Sequence, residues 1–163
     1  MQDKKVKFLA EAGVIAALYV VLTMIFAAFS FGEVQVRISE ALTILPYFTP
    51  AAVPGLFIGC LVGNILGGAI LPDIIFGSLA TLIGALISYA LRRTRYLVPV
   101  GPILANTLIV PFVLRYGYSV PLPIPFMMLT VGIGEVISCG VLGLILLFAL
   151  EKYQGRIFPA REH

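Results

Sequence analysis

The sequence predicts an all-α protein, an integral membrane bundle of six transmembrane helices forming a single membrane domain over residues 1–163, with both termini cytoplasmic. Three observations carry this prediction. The 163 residues are 60% hydrophobic and only 12% charged, and mean hydropathy is +1.06, whereas a soluble domain carries about 25% charged residues. Five apolar stretches approach the roughly 20 residues that a helix needs to cross a bilayer core, and a shorter sixth lies among prolines. The basic residues cluster at alternate junctions between these stretches. Together these exclude a free cytosolic enzyme, a disulfide-stapled secreted scaffold and a disordered tail.

The first helix is expected over about 8–31. Lys4, Lys5 and Lys7 precede an apolar run interrupted only by Glu11. The run is too long for a signal-peptide core and has no clear cleavage site, so it reads as a retained span. Helix two is expected over 38–48, where Pro46, Pro50 and Pro54 remove backbone donors and force a break. The third follows over 51–69. In it Gly55, Gly59, Gly63 and Gly67 recur every four residues, a stripe that permits close helix approach. The fourth covers 72–92, the fifth 97–115 and the sixth 121–151. The last exceeds one bilayer crossing and has room to tilt.

Charge placement selects six spans over five. With the N-terminus inside, Lys4, Lys5, Lys7, Arg92, Arg93, Arg95, Lys152, Arg156 and Arg161 all fall on the cytoplasmic side, leaving only Arg37 and Arg115 outside. That is the bias shown by membrane proteins. The basic balance therefore reports topology and gives no support for a nucleic-acid partner.

Ionisable groups at membrane depth are costly and become functional candidates. Arg37 and Glu40 stand at the start of the second helix, Asn64 near the end of the third and Asp73 at the start of the fourth. Asn106 lies midway along the fifth, and Glu135 near mid-depth in the sixth. On the six-span scheme most lie in the outer half and define an outward-opening polar cavity. Tyr116 and Tyr118 in the last outer loop are placed over its mouth, with Phe29, Phe31 and Phe76 as further lining candidates. Plainer roles stand beside these: an aromatic interfacial belt for the tyrosines, lipid or core packing for the phenylalanines, helix capping for Asp73, mutual pairing of Arg37 with Glu40, and interhelical bonding for the asparagines. Glu11 is explained by solvation beside Lys7. Cys60 and Cys139 show no metal or disulfide spacing and read as buried small hydrophobes. Ala12-x-x-x-Ala16, flanked by Gly13 and Ala17, suits either internal packing or docking of a partner.

The chain lacks the parts of an engine. It has no phosphate-binding G-x-x-x-x-G-K-[ST] loop and no H-E-x-x-H. Its one histidine is terminal His163. No metal site, internal repeat or nucleophile–histidine pair is evident, so a small intramembrane enzyme is a distant alternative. A membrane-embedded binding subunit with an energised partner remains.

The stretch 34–60, VQVRISEALTILPYFTPAAVPGLFIGC, and its continuation LVGNILGGAILPDIIFGSLATLIGA resemble the QueT family over nearly the whole chain. VRISEALTILP and GNILGGA are the most specific segments. The resemblance implies a substrate-binding S-component of a bacterial energy-coupling factor transporter, a six-helix bundle in the cell membrane that takes up queuosine precursors, which are 7-substituted 7-deazaguanines. It implies that the A-x-x-x-A pattern of Ala12 and Ala16 docks a transmembrane coupling subunit, with Gly13 and Ala17 as the flanking docking candidates. It further implies two partner ATPases using ATP-Mg, with no cofactor in this chain. An S-component for another vitamin or nucleobase is the alternative. The chemistry of a deazaguanine suits the polar residues. Asp73 and Glu135, with Glu40 as substitute for either, would take its two-donor edge and a cationic substituent. Arg37, Asn64 and Asn106 would donate to its carbonyl, and Tyr118 would stack on the ring beneath loops 32–38 and 116–123.

Overall fold

The computed structural model describes residues 2–27 and 36–158, and all regular structure among them is helical. Helix α1 spans Gln2–Ile25, α2 Ala52–Leu66, α3 Leu71–Ala90 and α4 Val100–Phe112. Helices α5 (Ile124–Glu135) and α6 (Gly143–Glu151) follow, and then a single turn, α7 (Gln154–Ile157). Four helical runs are long and apolar enough to cross a membrane: Asp3–Ile25, Leu71–Ala90, Arg95–Gly117 and Ile124–Glu151. The chain is thus a helical membrane protein. Of the two other segments expected as spans, α2 is a shorter apolar helix of 15 residues, about 22 Å at the α-helical rise.

The second segment departs most from expectation. Ile38–Tyr47 forms a 3₁₀ helix with Pro46 inside it, and Ser39 through Pro46 are all buried. It packs against α1, α2, α3 and α6. At about 2 Å rise per residue, ten residues extend roughly 20 Å, less than a bilayer core. It is an internal rod that brings polar side chains to the bundle centre.

Prolines and glycines set the other boundaries. Pro72 sits in the first turn of α3, where a missing N–H is harmless. Pro111 lies inside α4, which continues as a π-helical turn over Val113–Gly117. The expected sixth helix is also interrupted, by a π segment at Val136–Leu142 immediately after Glu135. Single π turns in α-helices tend to occur where side chains must be re-aimed.

The glycine stripe of α2 is the seat of α1. A Cβ on Gly55 would lie 2.8 Å from the Ala12 carbonyl oxygen, and one on Gly59 would lie 2.7 Å from Tyr19 Cβ and 3.0 Å from the Ala16 carbonyl oxygen. Gly63 has looser contact, 3.5 Å to Thr23. Gly67 stands past the helix end and caps it, its N–H donating to the Gly63 carbonyl at 2.8 Å. Where α3 meets α4, a Cβ on Gly101 would meet the Gly84 carbonyl oxygen at 2.5 Å, and one on Gly84 would meet Pro102 Cα at 2.7 Å.

At the end of the bundle carrying Arg92–Arg95, Glu151 pairs with Arg95 at 3.3 Å and accepts from the Tyr47 hydroxyl at 2.8 Å. Phe48 stacks on Phe158 with centroids 5.0 Å apart. Glu11 has more than solvent for company, since Thr49 donates to its carboxylate at 2.8 Å.

Candidate functional site

The residues singled out in five separate segments converge. Arg37, Glu40, Asn64, Asp73, Asn106 and Glu135 are all buried, none more than 6% exposed, and Tyr118 is 38% exposed at the rim. Each arrives for a local reason. The 3₁₀ rod carries Arg37 at its start and Glu40 in its first turn. Asn64 is in the last turn of α2 and Asp73 in the first turn of α3, so the short connection brings them face to face. Tyr118 follows the π turn that ends α4.

Two groups result. In the first, Arg37 donates to Asn64 Oδ1 at 3.2 Å and pairs with Asp73 at 3.7 Å. The Asn64 amide donates to the Asp73 carbonyl at 3.3 Å, and the Tyr118 hydroxyl donates to Asp73 Oδ2 at 2.8 Å. Asp73 therefore does more than favour the α3 N-terminus. Among the described residues Arg37 forms its ion pair with Asp73 rather than Glu40. Asp73 Oδ1 is buried without a hydrogen-bond partner. Partial burial and the adjacent Asp73 carboxylate push the Tyr118 hydroxyl up to about 12, so it remains a donor at neutral pH.

The second group surrounds Glu40 and Glu135. Tyr19 donates its hydroxyl to Glu40 Oε1, which also faces the Thr81 hydroxyl at 3.5 Å. The Cys139 thiol donates to Glu135 Oε2 at 3.1 Å. The Asn106 amide approaches both carboxylates. Carboxylate oxygens of Glu40 and Glu135 and the Cys139 sulfur all lie within 4.8 Å of one another. This corrects the reading of Cys139 as a bland hydrophobe, because it joins a cluster chemically able to hold a cation. Cys60 links the two groups, facing Asn64 at 3.7 Å and Thr81 at 3.3 Å.

Several members escaped the sequence reading. Tyr19, Thr23 and Thr81 are neutral and lie within apolar runs. Their signal is spacing: Tyr19 and Thr23 continue the inward row of Ala12 and Ile15, and Thr81 is eight residues after Asp73 on one helix face. Thr23 donates to Ser39 at 2.9 Å and extends the network along the rod. Of the proposed aromatic lining, Phe29 and Phe31 lie outside the described residues. Phe76 and Tyr116 are exposed and line a separate apolar cavity of about 380 Å³ with Pro72, Leu108 and Phe112.

The small residues of α1 divide. Ala12 is buried and Ala16 half-buried against the α2 glycines, while Gly13 and Ala17 face outward. Internal packing and an outward small-residue surface thus occupy adjacent strips of one helix.

A helical membrane protein whose interior holds ionisable groups from several segments is of the solute-handling class. Comparison with known proteins narrows this. The model of the QueT transporter family matches residues 9–152, and the chain belongs to that family. A curated relative from Lactococcus lactis subsp. cremoris (strain MG1363), "Queuosine precursor transporter QueT", is 35% identical over 85 residues. That match covers 51% of this chain and 50% of the relative, so the chain matches about half the length of that protein. No solved structure matches.

Proposed function

We propose that this chain is the substrate-binding subunit of an energy-coupling factor importer, capturing a queuosine precursor from outside and delivering it inward. The observation that carries this reading is the continuous network running from Tyr118 at the rim through buried Asp73, Asn64, Cys60 and Thr81 to Glu40 and Glu135. Such a network is expensive in a membrane interior unless it serves a polar guest. A 7-deazaguanine matches the first group. Its N1–H and exocyclic amine form an edge for the Asp73 carboxylate, Arg37 and Asn64 supply donors for its carbonyl, and Tyr118 closes over the ring.

In this reading the bundle has six membrane-inserted segments, the 3₁₀ rod and α2 counted, with both termini cytoplasmic. The outward strip of Gly13 and Ala17, beside Ala12 and Ala16, docks the coupling subunit. Two partner ATPases hydrolyse ATP-Mg, and this chain carries no cofactor of its own. Calorimetry of the purified chain against queuine and its aminomethyl and cyano precursors tests the binding half. Binding is expected without partners, and uptake only when the coupling module is co-expressed. A thermal-shift panel including riboflavin, biotin and thiamine tests the ligand class. Stabilisation by a vitamin and by no deazaguanine would overturn the assignment.

A further inference from the structure

The buried charges of the described residues do not balance. Among the described residues the buried ionisable acids and bases are Glu40, Asp73 and Glu135 against Arg37 alone. Arg37 places its guanidinium on Asn64 and Asp73, and neither Glu40 nor Glu135 forms an ion pair with a described residue. Two carboxylates whose oxygens approach within 4.8 Å in a low-dielectric interior do not both ionise without a cation between them.

The donors around the pair are unequal. Glu40 Oε1 receives the Tyr19 hydroxyl and faces Thr81, while Glu135 receives only the weak Cys139 thiol donor and shares the Asn106 amide. Glu40 Oε2 is buried with no hydrogen-bond partner of good geometry. The other titratable groups facing the pair are Tyr19 from α1, Cys60 from α2, Cys139 from the π segment and, more distantly, Arg37. None of them cancels the excess charge. The donors favour an anionic Glu40 and leave the proton on Glu135.

We propose that the Glu40–Glu135 pair is the subsite for a primary ammonium group on the ligand, which enters in exchange for the proton of the empty pair. Glu135 loses its carboxyl proton to bulk water, and the ammonium takes its place between two carboxylates. One positive charge leaves and one arrives, with no covalent bond made to the ligand. This rests on the deazaguanine reading above and adds a distinction within it. Ligands with an aminomethyl substituent use the pair, and those with a neutral substituent do not.

The test is calorimetric titration of the wild-type chain at one pH in two buffers of different ionisation enthalpy. The probes are 7-aminomethyl-7-deazaguanine and its 7-cyano counterpart. Release of about one proton per aminomethyl ligand and none per cyano ligand is expected. Glu135→Gln should abolish the release and weaken the aminomethyl ligand about tenfold or more, leaving the cyano ligand within about threefold. Binding of both ligands with no proton release from either overturns this inference and leaves the deazaguanine reading intact. Equal weakening of both ligands by E135Q also overturns it, assigning Glu135 to the ring. Failure of both ligands to bind removes both readings. Zn²⁺ held by the pair without any competition with the aminomethyl ligand would place the ammonium elsewhere and overturn the inference. The wild-type proton count stands whether or not the variant folds.

Discussion

Replacing Gly59 with alanine tests how the packing of α1 supports the site. The new methyl would lie 2.7 Å from Tyr19 Cβ and 3.1 Å from Ala16 Cα, well inside carbon–carbon contact of about 3.5–4.0 Å. Neither neighbour is the loose end of a flexible chain, so α1 must shift. Overpacking of this kind costs about 1–3 kcal/mol. Alanine also gains helix propensity over glycine, about 0.8–1.0 kcal/mol, and partly offsets that cost. Gly13→Ala supplies the control, because nothing lies within 4 Å of its Cβ and only the propensity gain remains. Gly63→Ala is intermediate, with contacts at 3.5 Å. Subtracting G13A from G59A cancels propensity and isolates a clash of about 1–3 kcal/mol. Thermal melting in one detergent should rank G13A above G63A above G59A. Because the Tyr19 hydroxyl holds Glu40, G59A should also weaken ligand binding, whereas G63A should not. A G59A protein as stable as G13A would refute the packing argument.

Three further perturbations have definite expectations. Asp73→Asn keeps the shape but removes the carboxylate charge that pairs with the buried Arg37. A loss of stability on the order of 3–5 kcal/mol in the melt and a tenfold or greater drop in affinity, about 1.4 kcal/mol by calorimetry, are expected. Tyr118→Phe removes the bond to Asp73 and should cost about 0.5–1.5 kcal/mol. In the wild type that contribution is expected to be constant below pH 10, since the folded hydroxyl is raised from 10.0 to about 12, and to fade between those values. Stability of wild type against Y118F across alkaline pH checks this, and a difference that fades already between pH 7 and 9 would contradict it. Ala17→Leu, on the outward strip, should block copurification with the proposed coupling subunit and spare ligand binding. Ala12→Leu, facing Gly55, should lower the melting temperature itself.

The membrane class followed from composition, because a surface with so few charges is stable only against lipid. Segment order was also legible, since runs of apolar residues and their prolines act locally. The polar members were visible wherever charge made them conspicuous: Arg37, Glu40, Asp73 and Glu135 stand out from apolar surroundings in any register. Tyr19, Thr81 and Cys139 did not, because each looks like an ordinary apolar-helix residue until a carboxylate from another segment is placed beside it.

The sequence alone determined a helical membrane protein with scarce ionisable residues at the ends or, as with Glu135, in the middle of its apolar segments, and a glycine face on α2. Only the tertiary structure decided that 38–47 is a buried 3₁₀ rod, that Arg37 pairs with Asp73, and that Glu40 meets Glu135 beside Cys139. Local propensity and hydropathy act along the chain and fix where segments begin and end. Partners for buried charge are chosen across the bundle, by which helices approach closely enough to exclude lipid between them.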